Sequence, residues 1–261
     1  MSNSAKTLAP VIESWKVKKW KNCFFELASE SRLSILRELQ KEDLKMQEIA
    51  RRIDVTPTEA FRQLERLAKT VLVQRQPDGT FTLTQYGKLV LQISASLDLL
   101  SRHREYFSTH NLAVIPSKFL YRLGELSKAK LQMDTIEIFN RTEKWFSEAK
   151  QYIWAVGEGT IPEHMIPVMN QRVEQGIQLR MLIPMEILSA GASQPETLKN
   201  LETRGLSEIP AIIALTEKMA GVCFRQVGGR MDYVGFFGGD PVFHDWVGDL
   251  FLYYWEKAKQ V

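Results

Sequence analysis

Between Thr56 and Lys69 the polar side chains recur at intervals of three and four, the spacing that gathers them on one side of a helix. Arg62 and Arg66 are one turn apart and present paired donors to a guanine edge or to phosphate oxygens. Gln63 and Thr58 beside them have the reach to bond bases or touch a thymine methyl. Lys45, Lys69 and Arg75 suit phosphate oxygens, contacts that set register rather than read sequence. Catalytic chemistry has no comparable set. The histidines His103, His110, His164 and His244 and the cysteines Cys23 and Cys223 fall at no metal-ligand spacing, so neither a metal nor a cofactor is expected. His244-Asp245 reads as a helix start. Gly157-Glu158-Gly159 reads as a turn, because no P-loop lysine follows it.

The elements that must carry the basic set follow from start and stop signals. Thr56 is placed as an N-cap, Pro57 stands at the first helical position, and Glu59 completes a capping box. The helix so opened runs to Lys69 and is expected to bury Phe61, Leu64, Leu67 and Ala68. Before it, Phe24 to Leu39 is helical, interrupted near Ser29 and Ser31, with Phe25, Leu27, Ala28, Leu33, Ile35, Leu36 and Leu39 inward. A second helix spans Leu44 to Ile53. Two helices joined by a short turn form a helix-turn-helix. Leu72–Gln76, the turn Pro77-Asp78-Gly79 and Thr80–Leu83 then form a hairpin. Thr56 and Gly79, which set the helix start and the hairpin tip, complete the candidate contact set.

Charge agrees with that placement. The net charge is +3, but residues 1–110 hold 18 Lys and Arg against 13 Asp and Glu, while the remainder is slightly acidic. A basic first part suggests a polyanionic partner, double-stranded DNA, for that part alone. No apolar run reaches the roughly 18 residues of a membrane helix, and Met1 to Pro10 lacks an apolar signal core, so no membrane partner and a cytoplasmic location are expected.

From Thr84 to Phe107 the pattern is helical again, with Tyr86, Val90, Ile93, Leu97 and Leu100 at alternating spacings of four and three. That seam fits pairing with the same helix of a second copy. Asn111 to Pro116 reads as a linker. Beyond it come helices near Lys118–Lys130 and Thr135–Lys150, the strand Tyr152–Val156, a helix near Met165–Gln175 and the strand Ile177–Ile183 closed by Pro184. A looser stretch holds Pro195, Gly205 and Pro210. Strands near Gly221–Val227 and Asp232–Phe237 flank the hairpin signal Gly228-Gly229-Arg230, and an amphipathic helix spans Val242–Lys259. The expected fold class is α/β in two domains. Residues 1–22 form an N-terminal extension, 23–84 the DNA-binding domain, 85–110 a connecting and dimerisation helix, and 111–261 an α/β mixed-sheet domain. Its aromatic interior leaves room for a small-molecule effector, with Trp154, Arg180, Arg225 and Tyr233 as the lining.

The segments ELASESRLSILRELQ, MQEIARRIDVTPTEAFRQLERL and LVQRQPDGTFTLTQYGKLV resemble the winged helix-turn-helix domain of ArsR-like archaeal regulators, over Cys23 to Val90. The resemblance implies a transcription regulator in which the helix from Pro57 reads DNA and the hairpin around Gly79 touches its backbone. The paired cysteines of the metal-sensing members are missing near Ile49. AKQYIWAVGEGTIPEHM, RVEQGIQLRMLIP and MDYVGFFGGDPVFHDWVGDLFLYYWEKAK resemble the effector domain of archaeal regulators linked to methanogenesis, a fold related to one half of phospholipase D-like proteins. No histidine here has a lysine two residues on, so that family's hydrolytic motif is lacking. The rival expectations are an enzyme carrying an accessory winged helix and a protein-interaction module.

Overall fold

The computed structural model describes residues 23–190 and 201–259. Residues 1–22 and Pro195 lie outside them. Its contacts divide the chain between Ser94 and Ala95 into two compact units.

The first unit holds α1 (Glu30–Lys41), β1 (Leu44–Lys45), α2 (Met46–Arg52), α3 (Pro57–Lys69), β2 (Val73–Arg75), β3 (Thr80–Leu83) and the start of α4 (Gln85–Arg102). The sheet order is β1-β3-β2, antiparallel throughout. Ile35 and Leu36 of α1, Ile49 of α2, Leu64 and Leu67 of α3 and Phe81 and Leu83 of β3 close one core over it. The turn between α2 and α3 passes through Asp54 at φ +55°, a left-handed conformation that aspartate tolerates. After α3 the N–H groups of Val71 and Leu72 bond the carbonyls of Ala68 and Leu67, with Val71 at φ +62° where glycine usually stands.

At the start of α3, Thr56 Oγ1 accepts from the Glu59 N–H at 3.2 Å. The box is only half made, because the Glu59 carboxylate turns to Gln63 and Arg62. Thr56→Ala is expected to cost about 0.5–2 kcal/mol, since one orphan donor loses its acceptor. Urea unfolding of the full chain checks this; an unmoved midpoint would show that the hydroxyl is replaced by water at no cost.

Two burial expectations and one helix boundary are corrected here. Phe25 is exposed and Glu26 buried, the reverse of an apolar stripe, because Glu26 pairs with buried Arg32 and Phe25 lies over guanidinium groups. Leu44 and Lys45 are strand, pairing with Phe81 and Thr80, so α2 begins only at Met46. Phe61 and Ala68 are exposed, because Ala60, Leu64 and Leu67 already close the stripe that α3 buries.

The second unit contains the end of α4, α5 (Arg104–Thr109), β4 (His110–Asn111), α6 (Ser117–Leu120), β5 (Lys130–Gln132), α7 (Thr135–Glu148), β6 (Tyr152–Val156), α8 (Ile166–Glu174), β7 (Gln178–Pro184), α9 (Met185–Ser189), β8 (Leu201–Leu206), β9 (Ala211–Thr216), β10 (Ala220–Gln226), β11 (Gly235–Gly238) and α10 (Pro241–Lys257). The mixed sheet runs β5-β11-β10-β9-β6-β7-β8, with β4 beside β10. Only β6-β7 and β7-β8 are parallel among the pairings of this sheet. Phe243, Trp246, Leu250 and Phe251 of α10 cover one face, while Phe146 of α7 and Met169 of α8 cover the other.

Several expected boundaries move. The helix at Thr84–Phe107 breaks at His103, whose backbone leaves helical geometry, and resumes as α5. Asn111–Pro116 is no free linker: Asn111 pairs with Arg225, Ile115 is buried, and Tyr254 donates to the Val114 carbonyl. The helix at Lys118–Lys130 shrinks to α6 and a 3-10 turn, and Lys130 opens β5. Gly124 there approaches Ala95 and Ser96 so closely that a Cβ would meet them at 2.9 Å. The loose stretch contains two strands, β8 and β9. The strand at Asp232–Phe237 begins only at Gly235, because Tyr233 sits at φ +62° and the Asp232 carboxylate accepts the Val234 N–H.

Candidate functional site

The outward side of α3 is a basic surface with a fixed underside. Thr58, Arg62, Glu65, Arg66 and Lys69 are exposed. Among the described residues Arg62 reaches only Glu59, at 3.7 Å, and leaves most of its fork in solvent. Arg66 is drawn partly inward, 3.8 Å from Glu26 and over the Phe25 ring at 5.4 Å. Gln63 is used inside the unit: its Oε1 accepts from Arg32 at 2.9 Å, and its Nε2 donates to Glu59. Gln63 therefore props α3, and Phe61, 48% exposed, stands on the open surface beside Arg62.

The hairpin β2–β3 adds a second contact strip. Gln76 N–H bonds the Thr80 carbonyl at 2.7 Å, and Gly79 supplies the φ of +86° that the tip requires. The Thr80 hydroxyl and N–H both donate to Asp78, which holds its carboxyl below the usual range. Arg75 is exposed and leans over Phe81 at 6.0 Å. Lys45 is exposed at the N-cap of α2. Thr56 and Pro57 are exposed at the start of α3.

In the second unit the four lining candidates separate into two pairs. Trp154 stacks on Phe251 at 5.1 Å, under α10. The Arg180 guanidinium lies between Trp154 and Trp255, 5.4 and 5.1 Å from their rings, with Nε 3.4 Å from Glu202. Arg225 donates to the carbonyls of Ile209 and Gly229 and pairs with Glu158 at 2.8 Å. Tyr233 lies near the same Glu158, and burial, then that carboxylate, push its phenol upward. Between the sheet and helices α7 and α8 lies a cavity of about 530 Å³, to which Tyr233, Glu158 and Arg180 contribute. In the sequence Glu158 reads as a turn residue; its signal is its place between two glycines at the end of a strand. Among the described residues no group of three His, Cys, Asp or Glu side chains converges, and no helix is long and apolar enough to cross a membrane.

The family described as the HVO_A0261 N-terminal domain matches residues 20–105. No curated protein matches the chain. Among solved structures, the chain is similar to TrmBL2, described as an archaeal chromatin protein with a novel mode of DNA binding. Identity is 18% over 91% of this chain and 95% of that one, with a TM-score of 0.43. It is also similar to the homodimeric winged helix-turn-helix DNA-binding domain of Mb0332 from Mycobacterium bovis, described as a possible ArsR-family regulator. There identity is 19% over 39% of this chain and 97% of the other, with a TM-score of 0.32. NucT from Helicobacter pylori aligns at 10% identity over 51% of this chain and 99% of its own, with a TM-score of 0.39.

Proposed function

We propose that the chain is a DNA-binding transcription regulator whose first unit is a winged helix-turn-helix. The observation that carries this is the exposed set Thr58, Arg62, Arg66 and Lys69 on the second helix of a helix-turn-helix, flanked by a hairpin bearing Arg75. α3 enters a major groove, where Arg62 reads bases; Lys45, Lys69, Arg75 and the Gly79 tip meet phosphates. The regulator acts in the cytoplasm as a homodimer joined along α4, where Tyr86, Leu89, Ile93 and Leu97 form an exposed apolar stripe. The second unit, a non-enzymatic α/β domain, modulates DNA affinity through a small-molecule effector.

The test is titration of the full chain with duplexes selected from a random pool, and with scrambled duplexes, between 50 and 200 mM salt. Binding should weaken steeply as salt rises, through counterion release. Arg62→Ala is expected to lose about 1–3 kcal/mol on selected duplexes and to relax base preference, whereas Lys69→Ala weakens selected and scrambled duplexes alike. An Arg62→Ala protein with unchanged affinity and preference would remove α3 from the groove. Exposed Phe61 favours a second reading, a protein-binding face, and binding of a protein rather than DNA, indifferent to salt, would be its sign.

A further inference from the structure

Small residues at the carboxyl end of β6 leave the sheet uncovered where helices α7 and α8 pass over it. Ala155 stands opposite Met181 of β7 and Ala214 of β9, and Gly157 extends the ladder by bonding the Leu182 carbonyl at 3.0 Å. The cavity of about 530 Å³ lies here. That is the size of a small-molecule site, and the end of parallel strands is where open α/β sheets hold ligands. Its body is apolar, with Phe146, Met165 and Met169 facing Ala155, Leu179 and Ala214.

Among the cavity's polar lining residues are Glu158 and Tyr233. Glu158 pairs with Arg225 at 2.8 Å, and its charge bears on the nearby Tyr233 phenol. Tyr233 is held at φ +62°, a rare conformation for an aromatic residue, with its carbonyl bonded by the Cys223 thiol at 3.0 Å. Asp232 is fixed by Gln226 at 2.8 Å and the Val234 N–H at 3.0 Å, which pins the strained residue in place. Backbone strain kept by this many partners beside a cavity marks a site.

We infer that this cavity binds a small molecule with an aromatic or branched-hydrocarbon body and one hydrogen-bond donor, a hydroxyl or an amine, directed at Glu158. An anionic head is disfavoured: Glu143 and Glu158 both line the cavity, Arg225 is neutralised by Glu158, and the Arg180 guanidinium lies against the Trp154 and Trp255 rings, which leaves the imidazole of His164 as the basic group offered by the lining. The inference rests on the second unit being the sensing half. Its test is made on the full chain without DNA, so failure here leaves the DNA titration standing, and the reverse.

The probe is N-phenyl-1-naphthylamine, an uncharged aromatic with one N–H, whose fluorescence rises in apolar surroundings. One-to-one saturable binding is expected, and 1-benzylnaphthalene, of the same shape without the donor, should compete more weakly by at least about fivefold, the worth of one charge-assisted bond. Ala155→Leu fills the cavity with hydrocarbon, so it should leave the melting temperature unchanged or higher while weakening the probe by about tenfold or more. Glu158→Leu, which removes the acceptor, should erase the preference for the donor, whereas Glu158→Gln keeps an amide oxygen that accepts and should only reduce it. If Ala155→Leu unfolds the protein, Ala214→Leu replaces it. No saturable binding, or binding indifferent to both cavity-filling variants, overturns the assignment. Retained preference in Glu158→Leu overturns the role of Glu158.

Discussion

Replacing Arg32 by methionine is expected to lower the stability of the first unit by about 3–5 kcal/mol, because it strands a buried carboxylate. The Arg32 and Glu26 side chains are 7% and 8% exposed, with Nε and Oε2 2.6 Å apart. The guanidinium also donates to the Glu26 and Phe25 carbonyls and to Gln63 Oε1. Methionine fills the volume but answers none of these acceptors. The double variant Arg32→Met with Glu26→Leu should recover most of the loss, since no charge is left unpaired. Hydrogen exchange over α1 and α3, alongside urea unfolding of the full chain, locates the effect in this unit. A loss below about 1 kcal/mol would mean that water reaches Glu26 freely and that the pair behaves as a surface bridge.

The same substitution reaches the proposed DNA surface. Arg66, 3.8 Å from Glu26, is the nearest cation left to neutralise it. Drawn further inward, it leaves the groove-facing side of α3, so DNA affinity should fall even in conditions where the unit remains folded. Gln63, released from Arg32, loses the contact that holds it against the α1 side.

Much of this surface is legible in the sequence. The N-cap at Thr56 and the hairpin tip at Gly79 are local chemistry: a hydroxyl meeting an orphan N–H, and a φ that only glycine adopts without cost. Helix periodicity placed Arg62, Arg66 and Lys69 on one side for the same local reason. Glu26 and Arg32 were not legible, because their burial depends on each other and on Gln63, 31 positions beyond Arg32. Phe61 misled in the opposite direction, since an apolar side chain on a helix suggests core unless the stripe is already full. In the second unit β9, Ala211–Thr216, was missed as an unalternating apolar run, which a sheet covered on both faces permits. β8 carries Glu202, Arg204 and Gly205 and is held by the parallel ladder with β7 and by the bridge from Gly205 to Lys259. The cavity was suspected from aromatic content, but its walls include Ala155, Ala214 and Gly157, whose importance lies in what they fail to fill.

Ile93→Glu is expected to convert a dimer into a well-folded monomer and to weaken DNA binding on the order of 100-fold or more, the scale lost when two linked contacts become one. In the single chain Ile93 is 69% exposed, with Tyr86, Leu89 and Leu97 exposed on the same side of α4, while Leu91 and Leu99 on the other side are buried. The sequence seam named Val90 and Leu100 as well; both are half-buried and pack against core residues of their own chain. A glutamate at 93 therefore costs the lone subunit nothing and removes apolar surface from water. In a pair along α4 it would bury an unpaired carboxylate in a short seam, a cost that few contacts can offset. The variant thus separates assembly from folding: melting temperature holds, mass by light scattering halves, and DNA affinity drops although Ile93 lies well along the chain from α3. If the wild type is itself monomeric, or if the variant stays dimeric and binds tightly, α4 is not the interface, and the exposed stripe awaits a different partner.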